Sequence, residues 1–271
     1  MTQLSIFEIP LIIDAICDNL SADDIFSCRK TTTYDLESTI LPVLPELTCL
    51  TRIEITMETI FSSDLLVGIF DALPDSVRIL EIDYEDWRIN PAEETVYTWK
   101  PKPNKLERIC IRGDDESSGE DLYLIPLIKV SPELQALRVP SVSGDHVESF
   151  MRALGESCPK LRYLVLNKHK ADHSYGNEAY LFEHIRQPLK MLRIDLAMDR
   201  YGDSSIVLST LMKHSADSLQ ELRLHNVDGL PIEFLEDMVE KCPNLKVIYH
   251  RDNYSYQCSN MMIGRGWKPP S

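Results

Sequence analysis

At 271 residues and 44% hydrophobic content, the chain is long and apolar enough for one extended folded domain plus a small appendage, which excludes a wholly disordered reading. Lys and Arg total 28 against 43 Asp and Glu, and the resulting charge of −15 repels polyphosphate and anionic lipid, so neither nucleic acid nor a membrane is an expected partner. Seven cysteines scattered without CxxC pairs suit reduced thiols and exclude a disulfide framework or a structural zinc site.

The leading residues, MTQLSIFEIPLII, have no basic n-region and carry Glu8 inside the apolar stretch, so they do not read as a cleavable secretion signal. No run approaches the roughly 18 apolar residues of a membrane span. The expected location is cytoplasm or nucleus. Residues 6–29, IFEIPLIIDAICDNLSADDIFSCR, read as two short helices. Pro10 suits a first helical turn, and Ile9, Ile12, Ile13, Ile16 and Leu20 recur at helical spacing. Ser21 can cap the second helix, with Asp23 and Asp24 favourable against its dipole and Ile25, Phe26 and Cys28 as apolar contacts. Ile9-Pro10, Ile13, Ile16, Leu20-Ser21, Asp24-Ile25 and Cys28-Arg29 together resemble the first half of an F-box. That resemblance implies that residues 1–40 dock the adaptor subunit of an SCF-type ubiquitin ligase through Ile9, Pro10, Ile13, Ile16, Leu20 and Ile25. The sequence departs from the family at Leu11, where an acidic residue is usual, and at RKTTTYDLES, which replaces the Val-Cys-Lys and Trp ending of the third helix. The alternative role for the hairpin is a cap over the sheet edge of the repeats that follow.

From residue 44 to 250 one apolar triplet, LxxLxL, returns eight times. The copies are Leu50-Ile53-Ile55, Val77-Leu80-Ile82, Leu106-Ile109-Ile111, Leu134-Leu137-Val139, Leu161-Leu164-Leu166, Leu189-Leu192-Ile194, Leu219-Leu222-Leu224 and Leu245-Ile248-His250. Steps between the central residues are 27, 29, 28, 27, 28, 30 and 26. Of the 24 template positions only His250 is not apolar, whereas a 44% composition would make about 11 apolar by chance. The LxL part alternates as a strand does. Between strands lie helical stripes: Leu65, Leu66, Ile69, Phe70; Val147, Phe150, Met151, Leu154; Val207, Leu208, Leu211, Met212; and Phe234, Leu235, Met238, Val239. A lone strand-helix unit cannot bury both its apolar faces, so neighbours must stack.

The expected fold class is therefore α/β, a solenoid of about eight strand-helix units with a parallel concave sheet. At this point the sequence resembles the leucine-rich-repeat family. Turns such as Cys158-Pro159-Lys160-Leu161 and Cys242-Pro243-Asn244-Leu245 resemble its cysteine-containing subclass, common in F-box proteins. The unit after Ile82, EDWRINPAEETVYTWKPKPN, is rich in Pro and lacks a helical stripe, so an irregular or extended segment is expected there in place of the helix, packed down by Trp87 and Trp99. Residues 251–271 read as a partial cap and a frayed end.

Outward strand positions should tile one partner-binding concave face: Glu54, Thr56, Glu81, Asp83, Cys110, Arg112, Arg138, Pro140, Val165, Asn167, Arg193, Asp195, Arg223, His225, Tyr249 and Arg251. Acidic groups lie at the first two strands, and Arg112, Arg138, Arg193, Arg223 and Arg251 run toward the carboxyl end. Arg pairs carboxylate or phosphate in bidentate fashion, so an acidic or phosphorylated protein substrate is expected, the alternative being solubilising Arg on repeat strands. The loop Asp114 to Asp121 reads as solvated chain able to mask neighbouring arginines. No GxSxG, GxGxxG, phosphate-binding glycine loop or HExxH occurs, so neither catalysis nor a cofactor is expected. His169 and His173 stand four apart in a loop-like stretch with only Asp172 nearby, which does not make a metal site.

Overall fold

The structure, a computed structural model, describes residues 25–31, 40–88, 99–113, 121–139, 142, 146–170, 183–197, 212–225, 232–251 and 258–262. It is an α/β fold built on one ten-stranded sheet whose strands follow chain order without a crossover. The strands are β1 (Ile25–Thr31), β2 (Arg52–Ser62), β3 (Ile79–Arg88), β4 (Arg108–Arg112), β5 (Ala136–Val139), β6 (Tyr163–Lys170), β7 (Met191–Ala197), β8 (Glu221–His225), β9 (Val247–Arg251) and β10 (Cys258–Met262). Every pairing from β1 to β9 is parallel, and only β10 on β9 is antiparallel. Helices α1 (Ser63–Ala72), α2 (Asp121–Lys129), α3 (Val147–Ser157) and α4 (Ile232–Lys241) lie between strands.

The register explains why the triplet recurs. Ile53, Leu80, Ile109, Leu137, Leu164, Leu192, Leu222 and Ile248 are partners in succession across seven pairings. All eight are at most 2% exposed, so the centre of each triplet forms one continuous buried row. The leading residues, from Leu50 to Leu245, form a second row no more than 5% exposed. Each strand buries one side of its pleat because its side chains alternate, and only an in-register stack lets both rows stay dry.

The entrances to β3 through β9 share one recurring backbone hydrogen bond. The amides of Arg78, Glu107, Gln135, Arg162, Lys190, Gln220 and Lys246 each donate, at 2.7–2.8 Å, to the equivalent carbonyl one unit earlier, beginning at Thr51. Just upstream, a tight turn brings the Val77, Leu134, Leu161 and Leu245 amides to the carbonyls of Pro74, Ser131, Cys158 and Cys242. In three of the four turns the first residue is a small side chain able to donate, Ser131, Cys158 or Cys242, and in the first it is Pro74. Cys158 is fully buried, with its Sγ 3.7 and 3.6 Å from the Ile128 and Ser131 carbonyls of the preceding unit. Ser131 fills the matching place and donates to the Leu127 carbonyl at 2.7 Å. Burial pushes the Cys158 thiol up to about 12, which keeps it protonated and unreactive.

Three of the expected helical stripes coincide with α1, α3 and α4, while of the stripe from Val207 to Met212 only Met212 lies among the described residues. The helix α2, with Pro126 inside it, is not among the four stripes read from the sequence. Its Tyr123, Leu124, Leu127 and Ile128 nonetheless carry the same i, i+1, i+4, i+5 stripe and are buried. Of the Pro-rich stretch 85–104, residues 85–88, Trp87 among them, continue β3, residues 89–98 lie outside the described residues, and residues 99–104 form no helix. Trp99 stacks on Phe70 of α1 at 5.8 Å and donates to Asp71 at 3.0 Å.

Two expectations need correction. The second leading helix, over Ser21 to Arg29, is not formed from residue 25 onward: Ile25–Thr31 is β1, paired parallel with β2. Phe26 pairs with Ile53 and Cys28 with Ile55, and Phe26 stands 27 residues before Ile53, which is one repeat step. Pairing with the otherwise bare edge of β2 outweighs a weak capping signal. The sheet thus reaches beyond residues 44–250 at both ends, through β1 and β10. His169 lies in β6 opposite Leu196 rather than in a loop, so helical i, i+4 spacing to His173 does not apply.

Candidate protein-binding face

Side chains at odd positions from the buried row line the other face of the sheet. In register they form rows, of which the middle one runs Glu54, Glu81, Cys110, Arg138, Val165, Arg193, Arg223, Tyr249. Beyond it lie Thr56, Asp83 and Arg112, and later in the sheet the backbone positions of Asp195, His225 and Arg251 are register partners in that order. Sequence reasoning missed a third row on the entrance side: Arg52, Ile79, Arg108, Ala136, Tyr163, Met191, Glu221 and Val247. The same alternation that identified the other two rows identifies this one.

The missed row changes the electrostatics. Glu81, only 12% exposed, faces three guanidiniums: Arg52 at 3.3 Å, Arg108 at 3.4 Å and Arg112 at 3.9 Å. Arg52 also pairs with Glu54, and Arg112 lies 3.7 Å from Asp83. Cys110 beside it, then Glu81 and Asp83, raise the Arg112 pKa above its ordinary value, so this cation is fixed. At the other end Arg223 pairs with Glu221. The expected run of equivalent arginines is therefore not uniform: Arg112 and Arg223 are already matched by carboxylates within the sheet. Arg138 has no carboxylate partner among the described residues, and its Nε is buried without an acceptor.

Over β4 to β7 this face holds a depression of about 490 Å³. Its floor and rim combine Ile79, Ala136, Tyr163, Val165 and Met191 with Arg108, Arg138 and Arg193. Tyr163, 42% exposed, is the one large apolar side chain exposed among the described residues.

Ile9, Pro10, Ile13, Ile16 and Leu20 lie outside the described residues, as do Pro140 and loop residues 114–120, whereas Ile25 opens β1. Among the described residues no group of three His, Cys, Asp or Glu is placed to hold a metal ion, and no helix is long and apolar enough to cross a membrane. No protein-family model matches the chain, and comparison with curated proteins finds no match.

Proposed function

We propose that this chain is a leucine-rich-repeat recognition protein that captures another protein on the outward face of its sheet, and that it serves as the substrate-recognition subunit of an SCF-type ubiquitin ligase. The observation supporting recognition is the parallel array: nine consecutive strands pair in chain order into one continuous sheet, the kind of extended platform that repeat proteins use for binding. On that surface Arg138, which has no carboxylate partner among the described residues and whose Nε is buried without an acceptor, borders a depression lined by both apolar and polar side chains, the combination of anchor and polar handle found at recognition sites. Catalysis belongs to other subunits in this reading, and the substrate is acidic or phosphorylated.

The ubiquitin role rests on the resemblance of Ile9-Pro10, Ile13, Ile16 and Leu20-Ser21 to an F-box. A second reading, a recognition scaffold unconnected with ubiquitin, is favoured by β1, because Ile25 and the residues after it form an edge strand instead of an adaptor-docking helix. Co-purification with the ligase adaptor separates the two. The ligase reading requires a stable complex that is lost in Ile9→Asp and Leu20→Asp, while an absence of adaptor from the wild-type fraction establishes the scaffold reading.

A further inference from the structure

We infer that the depression over β4 to β7 is a subsite for one peptide segment in which an apolar or aromatic side chain stands beside an Asp or Glu carboxylate. This deepens the recognition reading above and rests on it. Most of the charge on this face is already spoken for: Glu54, Glu81 and Asp83 engage Arg52, Arg108 and Arg112, and Arg223 engages Glu221. Arg138 is the exception in having no carboxylate partner among the described residues, and its Nε, like those of Arg52, Arg112 and Arg193, is buried without an acceptor. A buried N–H without a partner is costly, and a carboxylate oxygen arriving from outside would remove that cost through a charge-assisted hydrogen bond.

Around Arg138 the lining combines apolar side chains with Glu107, Arg108, Gln135 and Arg193. Ala136, Tyr163, Val165 and Met191 offer aliphatic and aromatic surface at neighbouring register positions, and Tyr163 is exposed where its neighbours on the face are not. A volume of about 490 Å³ lies within the range of small-ligand and side-chain pockets. A carboxylate is favoured over a phosphate dianion because the nearby Arg108 is already shared with Glu81, and the chain as a whole carries −15. An exposed aromatic supplies contact area at low entropic cost, so the apolar side chain anchors and Arg138 selects its charged neighbour.

The test selects a displayed library of random heptapeptides on the full chain, then measures binding of synthetic selected peptides to variants whose thermal unfolding matches wild type. The expected result is enrichment of Phe, Tyr, Leu, Ile or Met within two residues of Asp or Glu. Loss of about tenfold or more in affinity should follow Arg138→Ala, Ala136→Trp, which fills the depression, and replacement of the peptide acid by its amide. Binding lost instead on Arg223→Ala or Tyr249→Ala but kept in Arg138→Ala would overturn this subsite while leaving the sheet-face reading intact. Binding that depends only on helix residues such as Arg152 would overturn both. Peptides made about tenfold tighter by phosphoserine in place of the acid would overturn the carboxylate in favour of a phosphopeptide.

Discussion

Leu164 and Val165 are adjacent in β6, and their substitution should have very unequal consequences. Leu164 is fully buried in the central row between Leu137 and Leu192, whereas Val165 is half-buried on the face with the depression. Leu164→Ala removes three carbons, worth about 2.5 kcal/mol at about 0.8 kcal/mol each. Strands on both sides are pinned by ladder bonds and by the entrance bonds at Arg162 and Lys190, so the gap cannot close fully. The cavity term then brings the loss to about 3–4 kcal/mol. Val165→Ala leaves the core untouched and should cost under about 1 kcal/mol. Urea unfolding followed by circular dichroism measures both as midpoint shifts. Equal losses at the two positions would refute the assignment of inward and outward faces.

Other perturbations follow from single contacts. A Cβ at Gly155 in α3 would stand 2.0 Å from the His184 carbonyl oxygen, so Gly155→Ala should lower stability by about 1–3 kcal/mol, where helix propensity alone would raise it by about 1; thermal unfolding decides the sign. The Cys158 thiol titrates near 9 when unfolded and at about 12 when folded. Below pH 9 both states keep the proton; between 9 and 12 only the folded state does, so this group removes about 1.4 kcal/mol of stability per pH unit as pH rises. Cys158→Ser should lack that component in a pH series of urea midpoints. Glu81→Gln strips Arg52, Arg108 and Arg112 of their shared carboxylate, so it should cost about 1 kcal/mol and raise affinity for acidic peptides at the β2 to β4 end, measured by titration.

The array was legible because its signal is redundant: eight triplets report one period, and a single His250 cannot blur it. Local signals misled where tertiary pairing competed with them. Ser21, Asp23 and Asp24 make a capping pattern, yet the edge of β2 recruits Ile25–Thr31 as a strand, a unit hidden because Cys28 and Asp23 occupy template positions. Pro126 concealed α2 although the buried stripe around it was intact. On the outward face of the sheet, alternation located two of three rows. Which arginines remain available could not be read from sequence, because Glu81 meets Arg52 and Arg108 only across strand pairings 27–29 residues apart. The depression likewise exists only once Ala136, Tyr163 and Met191 are brought side by side.

Inter-strand nuclear Overhauser effects in isotope-labelled protein test the array most directly. Backbone protons around Leu164 should show contacts to both Leu137 and Leu192, with the same pattern repeated from Ile53 through Ile248. Contacts of Leu164 with only one of those neighbours, or with a strand two units away, would contradict the continuous parallel sheet and remove the face on which recognition is proposed.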